Sequence, residues 1–352
     1  MVGEEKTRLG ERLSQWVRRH FLWLLVACYA LAALWPAPGV ALRQWEWTAV
    51  DVGDVPFSLP LLLLAVMLFS AALLTDVSQI RLVSRHPIAL FVALVMVWAG
   101  PALLVLIAGW LVPWAVDGQA TAGLLVGLAL VATMPVANSS VGWTQNASGN
   151  LGLSLALVVL SITLCPWVTP NLLSLLGMSL SDQEQAYCEA LVAQFSGNFF
   201  IIWVILPTAA GLVGGYLLTP RRVAAVGSWF VLASAAALLM LNYINSALAL
   251  PRIHESPTAL LAATAVLAIA LSVVGLVLGW ALAWLLRLEQ QTRSALMFGL
   301  SMKHTGLALI LAGAVLANQP LAILMIVLAT LVQHVLAGIV QWVHERTATD
   351  DA

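Results

Sequence analysis

Ten apolar stretches, each about 18 to 28 residues long, run through this chain with only short polar turns between them. Inside a hydrocarbon layer no water pairs with a peptide N–H or C=O, so a stretch of this length must close its own hydrogen bonds as a helix. The stretches lie near 21–38, 56–75, 87–113, 121–144, 150–177, 192–219, 224–248, 258–286, 293–317 and 319–343. Composition agrees: 62% of residues are hydrophobic, 9% are charged and the mean hydropathy is +0.98, values outside the soluble range. The fold class expected is an all-α polytopic membrane protein of ten transmembrane helices.

Charge placement supports that count. With the N-terminus inside, one face receives Lys6, Arg8, Arg12, Arg18, Arg19, Arg81, Arg85, Arg221, Arg222, Arg287, Arg293 and Arg346, and the other only Arg43 and Arg252. Twelve against two is the positive-inside asymmetry, and it puts both termini in the cytoplasm. The compact loops favour a bacterial inner membrane. Residues 1–20 read as a cytoplasmic lead-in and 344–352 as a cytoplasmic tail. Of the three cysteines, Cys28 and Cys165 fall in apolar segments and Cys188 in a loop, a spacing that predicts neither a disulfide nor a metal site. Many of the 15 tryptophans sit near segment ends, as an interfacial belt requires.

Ten spans divide into five and five, residues 21–178 and 192–343, around an outer linker at 179–191. An odd number of spans per half inverts one half relative to the other, the inverted-repeat plan of secondary transporters. The fourth segment of each half is interrupted, at Met134–Asn146 (MPVANSSVGWTQN) and at Ser301–Gly306 (SMKHTG). Two matching breaks point to a central binding site, whereas a single Pro or Gly in a membrane helix is commonly tolerated with no such role.

The second break holds Lys303, the one Lys, Arg, Asp or Glu placed inside the hydrocarbon region, next to His304 and Thr305. A charge at that depth is expensive and marks function. At the first break Pro135 frees carbonyls that Asn138, Ser139, Ser140 and Thr144 can help satisfy; singly, such residues are more often glue between helices. Asn198 with Ser196 and Gln194, and Asn242 with Asn245, line a substrate path or simply bond neighbouring helices. For Gln333 and His334 a buried histidine with a local partner is the ordinary reading.

With those residues in view, the chain resembles the sodium/bile-acid symporter family of ten-helix organic-anion carriers. The likeness rests on Phe69 to Asp76 with the Arg85–Pro87 entry, on the proline-broken fourth segment running into Ser148–Gly149–Asn150, and on Met302 to Gly306. It implies a core domain of helices 3–5 and 8–10, in which the broken fourth and ninth helices cross, and a panel of helices 1, 2, 6 and 7, with substrate between them. The family's second break resembles E-x-G-M-Q-N-S-G, whose glutamate and glutamine hold sodium; those positions are Gly299 and Lys303 here, and the asparagine is His304. The family's serine–asparagine pair becomes Ser140 and Val141. Of two hydroxyls in the fifth helix Ser154 remains and Val158 replaces the other, and the third helix's glutamine is Met96.

Sodium requires several hard oxygen ligands, and an ammonium beside it is repulsive. The resemblance therefore predicts no sodium at either site and no other cofactor. One glutamate with two sodium ions and one protonated lysine both sum to +1, so Lys303 reads as a tethered replacement for the loaded cations. Three outcomes are open: a lysine held charged on freed carbonyls, one neutralised by an anionic substrate, or one exchanging H+ with His304 as relay. The expected function is secondary transport of a small or amphipathic organic anion, a carboxylate or sulfonate, as a monomer or homodimer. The alternatives are an exporter or uncoupled facilitator, and a non-transporting membrane sensor. A membrane enzyme is disfavoured because the buried region has no acid, and nucleic-acid binding because the basic residues follow the positive-inside pattern.

Overall fold

The computed structural model describes residues 2–52, 55–74, 87–115, 121–195, 201–218, 220–251 and 256–350. Nearly all of it is helix. The elements are α1 (Val2–Leu34), α2 (Ala37–Arg43), β1 (Glu46–Val52), β2 (Val55–Ser58), α3 (Leu59–Leu73), α4 (Pro87–Ala115), α5 (Ala122–Thr133), α6 (Ser139–Asn146), α7 (Leu151–Gly177) and α8 (Asp182–Phe195). A π-helical turn (Ile201–Ile205) then leads to α9 (Leu206–Leu217), α10 (Pro220–Ala249), α11 (Thr258–Leu285), α12 (Gln290–Ser301), α13 (Thr305–Val315) and α14 (Pro320–Asp350).

Five helices among the described residues are long and apolar enough to cross a membrane: Pro87–Trp114, Leu151–Gly177, Val226–Ala249, Thr258–Leu285 and Pro320–Val343. A sixth is counted if Leu9–Val17 and Arg19–Leu34 form one bent span. The protein is an integral membrane protein. Ala122–Thr133 and Thr305–Val315 are too short to cross alone, because each lies on one side of an interruption.

The chain gathers into two compact units. The first contains Met1–Val77 and Gln194–Arg252. In it α1 lies along α10: Tyr29 donates to Asn242 Oδ1 at 2.9 Å, and Cys28 to the Leu239 carbonyl at 3.1 Å. Asn242 and Asn245 are both buried and send their amide N–H groups back to carbonyls four residues earlier. Arg43 donates to Asn245 Oδ1 at 3.1 Å. These asparagines are therefore joints between helices. The π turn comes just before Pro207, where the missing N–H disrupts the regular ladder.

The second unit contains Ser78–Ala193 and Ile253–Ala352. Its closest packing is α11 on α12. A Cβ at Gly275 would meet the Leu300 carbonyl oxygen at 2.4 Å, and one at Gly279 would meet that of Leu296 at 2.6 Å. Glycines four apart let the two backbones touch, the small-residue contact of membrane helices.

Two stretches differ from their reading as loops. Strands β1 and β2 pair as an antiparallel ribbon. The outer linker carries α8, whose start is closed by one side chain: Glu184 accepts the Ser181 N–H and hydroxyl, both at 2.8 Å. Cys188 is consequently no loop residue. It is buried on α8 against Gly177, and with it Cys28 and Cys165 are free thiols. Trp143 stacks on Phe298 with ring centroids 6.4 Å apart, whereas Trp167 is exposed.

Candidate functional site

The two interruptions meet inside the second unit. Val136 and Lys303 form an isolated antiparallel bridge: the His304 N–H donates to the Pro135 carbonyl at 2.9 Å, and the Ala137 N–H to the Met302 carbonyl at 2.9 Å. Each break thus supplies partners for peptide groups that the other leaves orphaned, which is how unwound backbone is tolerated at membrane depth.

Three more peptide groups at the breaks are paired by side chains from neighbouring helices. Ser161 on α7 accepts the Val136 N–H at 3.0 Å. The Thr133 carbonyl accepts from Trp98 Nε1 at 3.0 Å and from the Thr169 hydroxyl at 2.7 Å. Gln333 Oε1 accepts the Lys303 N–H at 3.0 Å. Trp98, Ser161, Thr169 and Gln333 are all buried, and an unpaired backbone group there costs about 1–3 kcal/mol. Sequence reading missed Trp98, Ser161 and Thr169 and gave Gln333 an ordinary role.

Lys303 is 2% exposed. Its ammonium donates to the carbonyls of Val97 and Met134, the latter at 3.2 Å. Met134 caps the C-terminal end of α5, the negative end of that helix. Val97 lies in α4 four residues before Pro101. A buried amino group is therefore seated on main-chain oxygens of the kind that hold coupling ions in broken-helix carriers.

His304 is buried and caps α13: its Nδ1 accepts the Leu307 N–H at 3.2 Å. That nitrogen therefore carries no proton, and Nε2 holds the ring hydrogen of the neutral imidazole. Thr305 opens α13 and is buried. Buried His334 bonds the Thr330 carbonyl through Nδ1 at 2.7 Å.

The other candidate residues fall into two groups. Thr144 donates to the Ser140 carbonyl at 2.8 Å and lies 3.2 Å from Ser154 Oγ, making a buried hydroxyl cluster between α6 and α7. Asn138 and Ser139 begin α6 and are half-buried; no side chain caps that helix end. Asn198 and Ser196 lie outside the described residues.

Around the crossover, the positions a hard cation would need are apolar. Val158 is buried, Met96 and Val141 are half-buried, and none carries a side-chain oxygen. A Cβ at Gly299 would meet Leu157 Cδ1 at 2.8 Å, so a leucine tip fills the space where a longer side chain would start. With the carbonyls of Val97 and Met134 already accepting from Lys303, these four positions offer no side-chain oxygen to a hard cation.

The sequence pattern described as "Sodium Bile acid symporter family" matches residues 61–256. The chain belongs to the sodium bile acid symporter family. The chain is also 24% identical over 313 residues to a Bacillus subtilis (strain 168) protein described as "Uncharacterized protein YbaS", covering 88% of this chain and 93% of that protein. Family membership makes it a membrane transporter. The Met302–Gly306 break lies beyond the matched residues.

Proposed function

We propose that this symporter-family member is a secondary transporter of a small or amphipathic organic anion, a carboxylate or sulfonate, working by alternating access without sodium. The observation that carries the reading is the Lys303 ammonium seated on the Val97 and Met134 carbonyls. Mobile cations in such carriers hold two broken helices together and balance charge; here a lysine does both and never leaves. On this reading Asn138 and Ser139, at the positive end of α6 that no side chain caps, contact the anionic group. The reading includes ten spans in two inverted repeats, both termini in the cytoplasm and a bacterial inner membrane.

A second reading, an uncoupled facilitator or exporter, is favoured by one feature. The ammonium bonds only to carbonyls in its described contacts, and carbonyls take up no proton. His304 Nδ1 is occupied by the Leu307 N–H. A proton route from Lys303 through that nitrogen is thus closed, and H+ coupling needs a different exit.

The test is uptake by the purified protein in proteoliposomes. A panel containing a bile acid, short carboxylates and alkyl sulfonates is first screened by thermal stabilisation. Uptake of the stabilising anion is then compared under a sodium gradient, a pH gradient and neither. Equal uptake with sodium or choline outside is the expected result, and stimulation by sodium overturns the reading. Acceleration by the pH gradient selects proton coupling over facilitation.

A further inference from the structure

Helix α4 runs unbroken from Pro87 to Ala115 with Pro101 inside it. In an α-helix the carbonyl of residue 97 takes the N–H of residue 101. Proline has no N–H, and its ring pushes the same carbonyl outward. Val97 is 0% exposed, so water cannot repair the loss, and an unmet buried carbonyl is costly. The group that reaches it is Lys303 Nζ. One residue along, Trp98 Nε1 donates to the Thr133 carbonyl at 3.0 Å, fastening the same turn of α4 to the first break.

We propose that Pro101 is a positioning residue for the crossover: by withholding its N–H it opens the Val97 carbonyl as half of the Lys303 seat. The two residues are 202 positions apart in sequence yet form one functional pair, with the proline supplying the vacancy that the lysine fills. This rests on the reading of Lys303 as a fixed brace. It adds that α4, which is not broken, takes part in the crossover through a defect in its own ladder. If Pro101 acted only as a kink, its effect would be independent of the side chain at position 303.

The experiment is a double-mutant cycle on the full-length protein with Pro101→Ala, Lys303→Met and both together, read as thermal stability in liposomes. In Pro101→Ala a new N–H competes for the Val97 carbonyl, so Tm falls while the lysine is present. In the Lys303→Met background the same N–H satisfies an abandoned acceptor, so Tm rises. A difference between backgrounds of roughly 2–4 °C or more is expected, and equal shifts overturn the pairing. Should the Lys303→Met proteins fail to accumulate, solid-state NMR of the other two decides. A dipolar contact between Lys303 15Nζ and the Val97 13C carbonyl is expected in the parent and weakened in Pro101→Ala. Its absence from the parent, or undiminished strength in the variant, overturns the proposal. Neither readout measures transport, so sodium-driven uptake would defeat the proposed function while leaving this pairing intact, and the reverse also holds.

Discussion

The peptide N–H of His304 points at the carbonyl of Pro135, 2.9 Å away and 169 residues earlier in the chain. Two interrupted helices are joined there by main chain alone, and the side chains around them complete what the two backbones cannot do for each other. The consequences can be measured.

Lys303→Gln keeps an N–H donor but removes the charge and shortens the reach. The Val97 and Met134 carbonyls then lose the ammonium that pairs them, at about 1–3 kcal/mol for each unsatisfied acceptor. The expected outcome is a protein with no transport and a Tm lowered by several degrees in fluorescence-detected unfolding. Parent-like uptake in any ion gradient would show that the cation is dispensable.

Ser161→Ala removes the acceptor of the Val136 N–H without altering shape much. A loss of about 1–3 kcal/mol is expected, visible as a lower Tm, whereas Thr163→Ala, on an exposed hydroxyl of the same helix, should change it by under about 0.5 kcal/mol. Comparable losses from both would assign no special duty to Ser161.

Gly275→Ala drives a methyl group into the backbone of α12 at Leu300 and Ser301. Neither atom belongs to a flexible side chain, so the helices must separate, at about 1–3 kcal/mol. Gly142→Ala, where a Cβ would have nothing within 4 Å, is the control. Thermal unfolding of the two should differ clearly, and Gly275→Ala should also reduce uptake, since α12 leads directly into Lys303.

Burial on α8, reinforced by the carboxylates of Glu184 and Glu189, pushes the Cys188 thiol up from its ordinary 9.0 to about 12. The folded state therefore favours the neutral thiol. Its contribution to stability is complete below pH 9 and is lost as pH climbs from about 9 to about 12. In the native protein Cys188 should resist maleimide at pH 7–8 and react fully once unfolded; rapid native labelling would contradict its burial.

Much of the scaffold was readable from residue order. Apolar length marked the five long membrane helices among the described residues, and Pro135 and the Met302–His304 triplet marked where two further segments open. What stayed hidden were partners with no side-chain signature. A carbonyl such as that of Val97 looks like every other carbonyl, and the single clue was Pro101 four residues downstream. Ser161 and Thr169 resembled ordinary hydroxyls folding back on their own helix, because only the tertiary fold brings α5 and its broken end beside them. Gln333 was overshadowed by the neighbouring histidine. In the linker, Ser181 and Glu184 spelled a helix start, but the short polar run between apolar segments was read as a turn. The ribbon of β1 and β2 was missed for a similar reason, Trp47 having been taken for an interfacial anchor.

A cation that is part of the polypeptide cannot be diluted away. On the proposed reading, the amino group of Lys303 stays at the crossover however little salt surrounds it, and no sodium gradient can be spent through it. Such a carrier would run equally well in fresh water and in brine.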